Sequence, residues 1–376
     1  MHRAAESPAR VSGTRGGPPG HVLHLVPALF DAHDGVIGGA ERYVLELARH
    51  MAETVPTRLV TFGERDRDER IGSLSVRVIG GARLVRGQRA NPFAAALVGE
   101  VRRARVVHCH QQHVVMSSVA AMVARLCGRR VFCTDLGGGG WDVSAYISTD
   151  RWYHGHLHIS EYSRKVAGHA GVPWAHVVLG GVDTAKFSPD PATPRDGTIL
   201  FVGRLLPHKG INDLIDAIQP GVRAEIIGPA PDERYRAELE TRARGKQIRF
   251  RADCDDAALV EAYRRAACVV LPSVYRDMYG GETKVPELLG QTLLEGMACG
   301  APGICTDVAS LPEVVEHGAT GLVVPANDPI ALRAAICWMS SHPDERKAMG
   351  TRGRQRTIDR FNWNTVVDRC LEAYAA

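Results

Sequence analysis

The sequence predicts an α/β protein made of two Rossmann-like halves that face a central cleft. Three observations carry the prediction. The chain has 376 residues, more than one hydrophobic core usually organises, so two domains are expected. Short β-prone apolar runs alternate with helical periodicity, as in parallel sheets covered by helices. This series occurs twice, and the proline-rich stretch "DTAKFSPDPATPRDG" (183–197) divides it. An apolar share of 45% and a charged share of 23% fit an ordinary globular protein, and a net charge of +4 is too mild to argue for a nucleic-acid partner.

Taken in order, residues 1–20 are rich in Arg, Gly, Pro and Ser without an apolar signal core, and a disordered tail is expected there. The runs "HVLHLVPALF", "TRLVTF", "VRVIG", "ARVVHCH", "RRVFCTD", "GHLHIS" and "HVVLGG" supply the strands of a first domain over 21–187. "TILFVG", "RAEIIG", "QIRFRAD", "CVVLPS", "APGICTD" and "TGLVVP" supply those of a second over 188–355. Apolar residues at near-helical spacing in "RFNWNTVVDRCLEAYAA" predict a final helix within 356–376. No apolar run reaches the ~20 residues of a membrane span. The nine scattered cysteines, without a C-x-x-C pair, read as reduced thiols of a cytoplasmic protein.

Open parallel sheets bind ligands at the carboxyl ends of their strands, so the chemistry is sought in the following loops. In "TILFVGRLLPHKGINDLIDAI", Arg204 and Lys209 flank such a loop beside a helix N-terminus, a setting suited to a diphosphate. In "KVPELLGQTLLEGMACG", Gly290 permits close backbone approach and a helix starting at Gln291 offers free amides. Glu287 and Glu295 lie on either side, and a carboxylate suits the vicinal hydroxyls of a sugar. Either feature by itself also reads as a solvated loop or a favoured helix-end charge.

Together these segments resemble a known family. "ELLGQTLLEGMACG", with its E-x7-E spacing, "FVGRLLPHKG" before it and "TDVASLPEVVEHGATGLVVPANDP" after it, look like the retaining nucleotide-sugar glycosyltransferases of family four, also called glycosyl transferases group 1. "GGAERYVLELARHM", "ISEYSRKVA" and "LGGVDTAKFSPD" extend the likeness over nearly the whole chain after residue 20. The resemblance implies a GT-B fold whose terminal helix crosses back to brace the first domain. It implies that Arg204 and Lys209 hold a donor diphosphate, Glu287 the donor sugar and Glu295 the ribose. Gly203 and the backbone from Leu289 through Gly290 and Gln291 to Thr292 contact phosphate or sugar, and the base lies near Gly228 of "IIGPAP" and near "RADCDD". Gly38 and Gly39 approach the donor phosphates from the first domain.

The sequence also departs from that pattern. Many members carry a histidine after the strand placed at "RRVFCTD"; here Asp135, Leu136 and four glycines follow, and either Asp135 or His110 takes over the polar contact. "YRDMYGGETKVP" is an insertion before Glu287 that either shapes substrate preference or decorates the rim. The histidines of "HCHQQH" (His108, His110, His113) fit a strand end better than a metal site, and the D-x-D of "ERDRDER" sits in a charged run expected to be a solvated loop. The glycines at 137–140 do not follow G-x-G-x-x-G, against a redox dinucleotide.

The expected activity is therefore retaining, metal-independent transfer of a sugar from a UDP- or GDP-sugar, with no cofactor. Arg204, Lys209, Glu287, Asp135 and His110 are the candidate catalytic residues. Asp31, Asp34, Asp135 and Asp142, all placed in loops at the strand ends of the first domain, favour a small polyhydroxylated or cationic acceptor. Arg83, Arg86, Arg89, Arg102, Arg103 and Arg105 offer the alternative of a lipid-linked or polysaccharide acceptor at a membrane surface. A nucleotide-sugar epimerase and a non-catalytic sugar-nucleotide sensor are rival readings on the same architecture.

Overall fold

A computed structural model describes residues 20–29, 39–137, 143–252 and 254–376. The expected tail, apart from Gly20, lies outside them, as do Asp31, Asp34, Gly38 and Asp142.

The first sheet has eight strands: β1 (Val22–Leu29), β2 (Thr57–Gly63), β3 (Arg67–Ile71), β4 (Leu74–Gly80), β5 (Val106–Cys109), β6 (Arg130–Cys133), β7 (Gly155–His158) and β8 (Ala175–Val177). Their order is β8-β7-β6-β5-β1-β2-β4-β3, and every pairing is parallel except β3 with β4. The second sheet is parallel throughout, in the order β11-β10-β9-β12-β13-β14. Its strands are β9 (Thr198–Val202), β10 (Ala224–Ile227), β11 (Ile248–Arg251), β12 (Ala266–Leu271), β13 (Gly303–Thr306) and β14 (Gly321–Val324). Each of the thirteen apolar runs singled out in the sequence carries one of these strands.

The remaining strand, β3, corrects one expectation. The charged run at 64–70 is not a solvated loop, because its latter part forms an antiparallel edge strand. Asp66 and Asp68 of the D-x-D are bound to arginines: Asp68 takes Arg58 at 2.7 Å and Arg77 at 3.0 Å, and Asp66 takes Arg77 at 2.7 Å. Cross-strand ion pairs and an exposed edge explain why a run so charged extends as a strand.

Strand alternation sorts the core. On β1, Leu23 and Leu25 pack with Val60, Leu97, Val101 and Val107 on one face of the sheet. Val22 and Val26 point to the other, where the helix Gly39–Thr54 lays down Val44, Leu47 and Met51. The terminal helix Trp363–Ala375 covers this second face too. Tyr374 Oη lies 2.7 Å from His108 Nδ1, and the rings of Trp363 and Tyr43 are 5.4 Å apart. Within the expected 356–376 segment that helix starts at Trp363, after the preceding helix Pro343–Arg360 has ended. Among the described residues, no helix is long and apolar enough to cross a membrane.

Candidate functional site

A cavity of about 700 Å³ lies between the two sheets, at the carboxyl ends of their strands. On the second-domain side, β9 ends at Val202 and the chain turns through Gly203 into Arg204. Gly228, after β10, runs so close to this turn that a Cβ on it would stand 2.0 Å from the Gly203 carbonyl oxygen. Gly203 and Gly228 do not line the cavity; they pack backbone on backbone beneath the loop that does. The turn Pro207–Lys209 then presents His208 and Lys209 to the cavity beside Arg204.

Lys209 Nζ donates to Glu287 Oε1 at 2.6 Å, and Ser273 Oγ donates to the same oxygen at 2.7 Å. The two charged side chains are only 16% and 9% exposed. A pair so little wetted is set by its neighbours and not by chance surface encounter. Burial, with Lys209 and Arg204 nearby, pushes the His208 imidazole below its usual range. The positive charge that the cavity gathers therefore sits on Lys209 and Arg204.

Gly290, at φ 84°, heads the helix Gln291–Ala298; glycine takes this left-handed conformation without strain, and the turn brings Leu289 and Gln291 to the cavity wall. Glu295 differs from expectation. It does not line the cavity but lies one turn deeper, 4% exposed, where Tyr263 Oη donates to it at 2.7 Å. Burial raises its pKa, and the Tyr263 hydrogen bond and Arg42 of the first domain pull the other way. Thr292, half-buried on the same turn, also falls outside the lining.

The first-domain wall holds Gly39, Asp135, Gln111, His113 and His158. Asp135 thus faces the cleft as expected; its Oδ1 accepts from the Gly137 amide at 3.2 Å, and burial raises its pKa. His110 does not. It is 2% exposed, with Nε2 2.8 Å from His24 Nδ1; its ring stacks 5.1 Å from that of His24 and lies tilted 4.1 Å from that of His108. His108 is bound in turn to Thr134 Oγ1 at 2.8 Å and to Tyr374. Burial holds all three imidazoles well below the ordinary range, so they are neutral. The physical reason is parity: Val106, His108 and His110 alternate onto the face covered by the terminal helix, away from the cavity.

Ring nitrogens of His24, His108 and His110 lie within 4.8 Å of one another, and Glu46, His50 and Asp183 form a second such group. The sequence offered His108, His110 and His113 as the trio to weigh, and read them as strand-end residues and not as a metal site. His113 instead lines the cavity, and His24 of β1 takes its place because β1 pairs with β5 in register, His24 opposite His108.

Sequence reasoning missed His158, and it weighed His113 only as a metal ligand and not as a cavity residue. "GHLHIS" signalled a strand, and its alternating histidines were a readable hint of one polar face. Thr283, Val285 and Pro286 of the insertion also reach the cavity wall.

Residues 183–356 match the family model of the glycosyl transferases group 1. That span takes in most of the second domain. Among relatives, it is 31% identical over 227 residues to an alpha-maltose-1-phosphate synthase of Mycolicibacterium smegmatis, covering 53% of this chain and 56% of that one. It is 29% identical over 232 residues to a phosphatidyl-myo-inositol mannosyltransferase of Mycobacterium leprae, covering 58% of each. The chain thus spans about half the length of the curated relatives it matches. The fold is GT-B. Its solved neighbours include Anabaena HepE in complex with UDP and glucose, with a TM-score of 0.72, 17% identity, and 95% and 99% of the two chains covered. A sucrose-phosphate synthase from Thermosynechococcus elongatus superposes with a TM-score of 0.71 at 20% identity, covering 94% and 98%.

Proposed function

We propose that this chain is a group 1 glycosyltransferase that moves a sugar from a nucleoside diphosphate sugar to a small polar or cationic acceptor, with the anomeric configuration retained and without a metal ion. The observation that carries the reading is the meeting of Arg204, Lys209 and Glu287 in one cleft cavity with the start of the helix Gln291–Ala298. Two cations and the free amides of a helix start suit a diphosphate. A carboxylate beside them suits sugar hydroxyls. The solved neighbour that binds UDP-glucose supports a nucleotide-sugar donor.

In this reading the donor diphosphate displaces Glu287 as partner of Lys209, and Glu287 turns to the donor sugar. Glu295 exchanges Tyr263 for ribose hydroxyls. As the bond from the anomeric carbon to the phosphate oxygen breaks, its electron pair passes to the diphosphate. Arg204 and Lys209 are already aimed at that charge, so the barrier falls without reorganisation. The acceptor hydroxyl forms the new bond on the same face, and its proton passes to the departing phosphate oxygen. Asp135 faces the acceptor.

Thermal-shift titration of the full chain with UDP, GDP, UDP-glucose and GDP-mannose tests the reading, because a ligand of the folded state raises the melting temperature. A rise with one diphosphate and its sugar, followed by transfer of that sugar with retained configuration in metal-free buffer, is the expected result. No shift with any of the four refutes it. Conversion of the donor with no acceptor present would favour the epimerase instead.

A further inference from the structure

The first-domain wall carries a chain of polar groups that the reading above does not use. His158, at the end of β7, lines the cavity. Its Nε2 lies 3.1 Å from His169 Nδ1. His169 Nε2 in turn faces the Asp150 carboxylate at 3.6 Å. Asp150 is fixed from its other oxygen by Gln112 Nε2 at 2.7 Å, and Trp174 packs edge-on against His169 with ring centroids 4.8 Å apart. His158 and His169 are 5% and 4% exposed, so this is a built arrangement and not a surface encounter.

The order of the groups fixes the protons. A carboxylate facing His169 Nε2 favours the proton on that nitrogen, which leaves Nδ1 of a neutral His169 as a lone pair. That lone pair accepts from Nε2–H of His158. His158 Nδ1 is then left as an acceptor, and it makes no hydrogen bond to any described residue.

We propose that His158, oriented by His169 and Asp150, accepts a hydrogen bond from a hydroxyl of an uncharged polyhydroxylated acceptor, next to the hydroxyl that reacts. The inference rests on the glycosyl-transfer reading. Two further facts support it. Burial and the neighbouring His169, His156 and Arg164 push the His158 pKa down to about 3. A ring so hard to protonate is a poor proton store at neutral pH but a constant hydrogen-bond acceptor, so His158 positions and does not act as the base. In addition, none of the described lining residues of the first domain is Arg or Lys; every lining Arg and Lys, Arg204 and Lys209, comes from the second. A phosphate on the acceptor would meet the lone pairs of His158 and Asp135 with no first-domain cation among the described lining residues, and is disfavoured.

Two measurements on the full chain test this. Imidazole 15N–1H spectra at neutral pH, with His158 assigned by its loss in His158→Gln, are expected to show Nε2 protonated and Nδ1 bare, and Asp150→Asn is expected to mix the two forms. This measurement needs no acceptor, and a proton on Nδ1 in the unsubstituted protein overturns the proposal. Transfer from UDP-glucose or GDP-mannose is then assayed on glucose, glucosamine, myo-inositol and glucose 6-phosphate. His158→Leu is expected to lower kcat/KM for the accepted compound by about tenfold, the ratio set by one lost hydrogen bond. The loss appears in the KM of the acceptor and not in that of the donor, and His158→Asn, whose amide oxygen takes the place of Nδ1, recovers part of it. Transfer at the unsubstituted rate by His158→Leu, or preference for glucose 6-phosphate, overturns the proposal while leaving the glycosyl-transfer reading intact. If the unsubstituted protein binds no nucleotide, that reading itself has failed and this inference falls with it.

Discussion

Replacing Lys209 with alanine removes one of the two cations that face the cavity and leaves the Glu287 carboxylate with Ser273 alone. Two unit charges about 4 Å apart attract by roughly 4 kcal/mol at an effective dielectric of ~20. That figure bounds what Lys209 gives a diphosphate, and Glu287, 2.6 Å away, takes a share of it. Loss of one preorganised donor to a developing anion typically costs about 2.7–4 kcal/mol, or roughly 100- to 1,000-fold in turnover. We therefore expect Lys209→Ala to lower kcat/KM for the donor about 100-fold, at the low end because Glu287 competes for the same cation. The assay is release of nucleoside diphosphate from the nucleotide sugar at limiting donor. Far-UV circular dichroism and the melting temperature confirm folding, and Lys209→Met, which keeps most of the side chain's volume, guards against a packing artefact. Turnover within about threefold of the unsubstituted protein, in both variants, would refute the electrostatic role assigned to Lys209.

Three further outcomes are expected. Glu295 has a folded-state pKa raised above its ordinary 4.5, so the folded protein holds this proton where the unfolded chain has lost it, and stability falls as pH rises through that interval. Glu295→Gln removes the penalty, so its melting temperature relative to the unsubstituted protein should rise between pH 4.5 and 7.5; a difference independent of pH would contradict the burial argument. Tyr374→Phe leaves buried His108 Nδ1 without its partner, at a cost of about 1–3 kcal/mol in chemical denaturation. Gly228→Ala drives a methyl group to 2.0 Å from the Gly203 carbonyl oxygen, and the loop carrying Arg204 must shift. Donor-induced thermal stabilisation is expected to vanish in this variant, whereas retention of full stabilisation would show that the loop tolerates the clash.

Much of the molecule was legible from residues alone, because local physics decides it. Apolar runs with period two and helical stripes with period 3.6 specify strands and helices wherever they are bounded by Gly and Pro, and the two sheets follow. Gly290 before Gln291, and Arg204 with Lys209 around a βα loop, are signals whose spacing and chemistry travel together. What spacing could not give is which face a polar residue takes and what neighbour waits there. His110 was expected at the cleft and lies in the core, because the register of β5 against β1 and the docking of Tyr374 enclose it. Glu295 was expected to share a hollow with Glu287, yet one helical turn carries it to Tyr263. The strand Arg67–Ile71 formed from a charged run because Arg58 and Arg77, brought from β2 and β4, neutralise its aspartates.

By itself, then, the sequence determined two α/β layers, the cations of the loop after β9 and the glycine that opens the helix at Gln291. Only the tertiary structure decided that Lys209 rests on Glu287, that His110 is sealed away and that His158 takes the cleft wall with His169 and Asp150 behind it. The reason is range. Secondary structure answers to neighbours a few residues away, whereas these contacts join residues on separate elements and depend on strand register, helix docking and the approach of two domains.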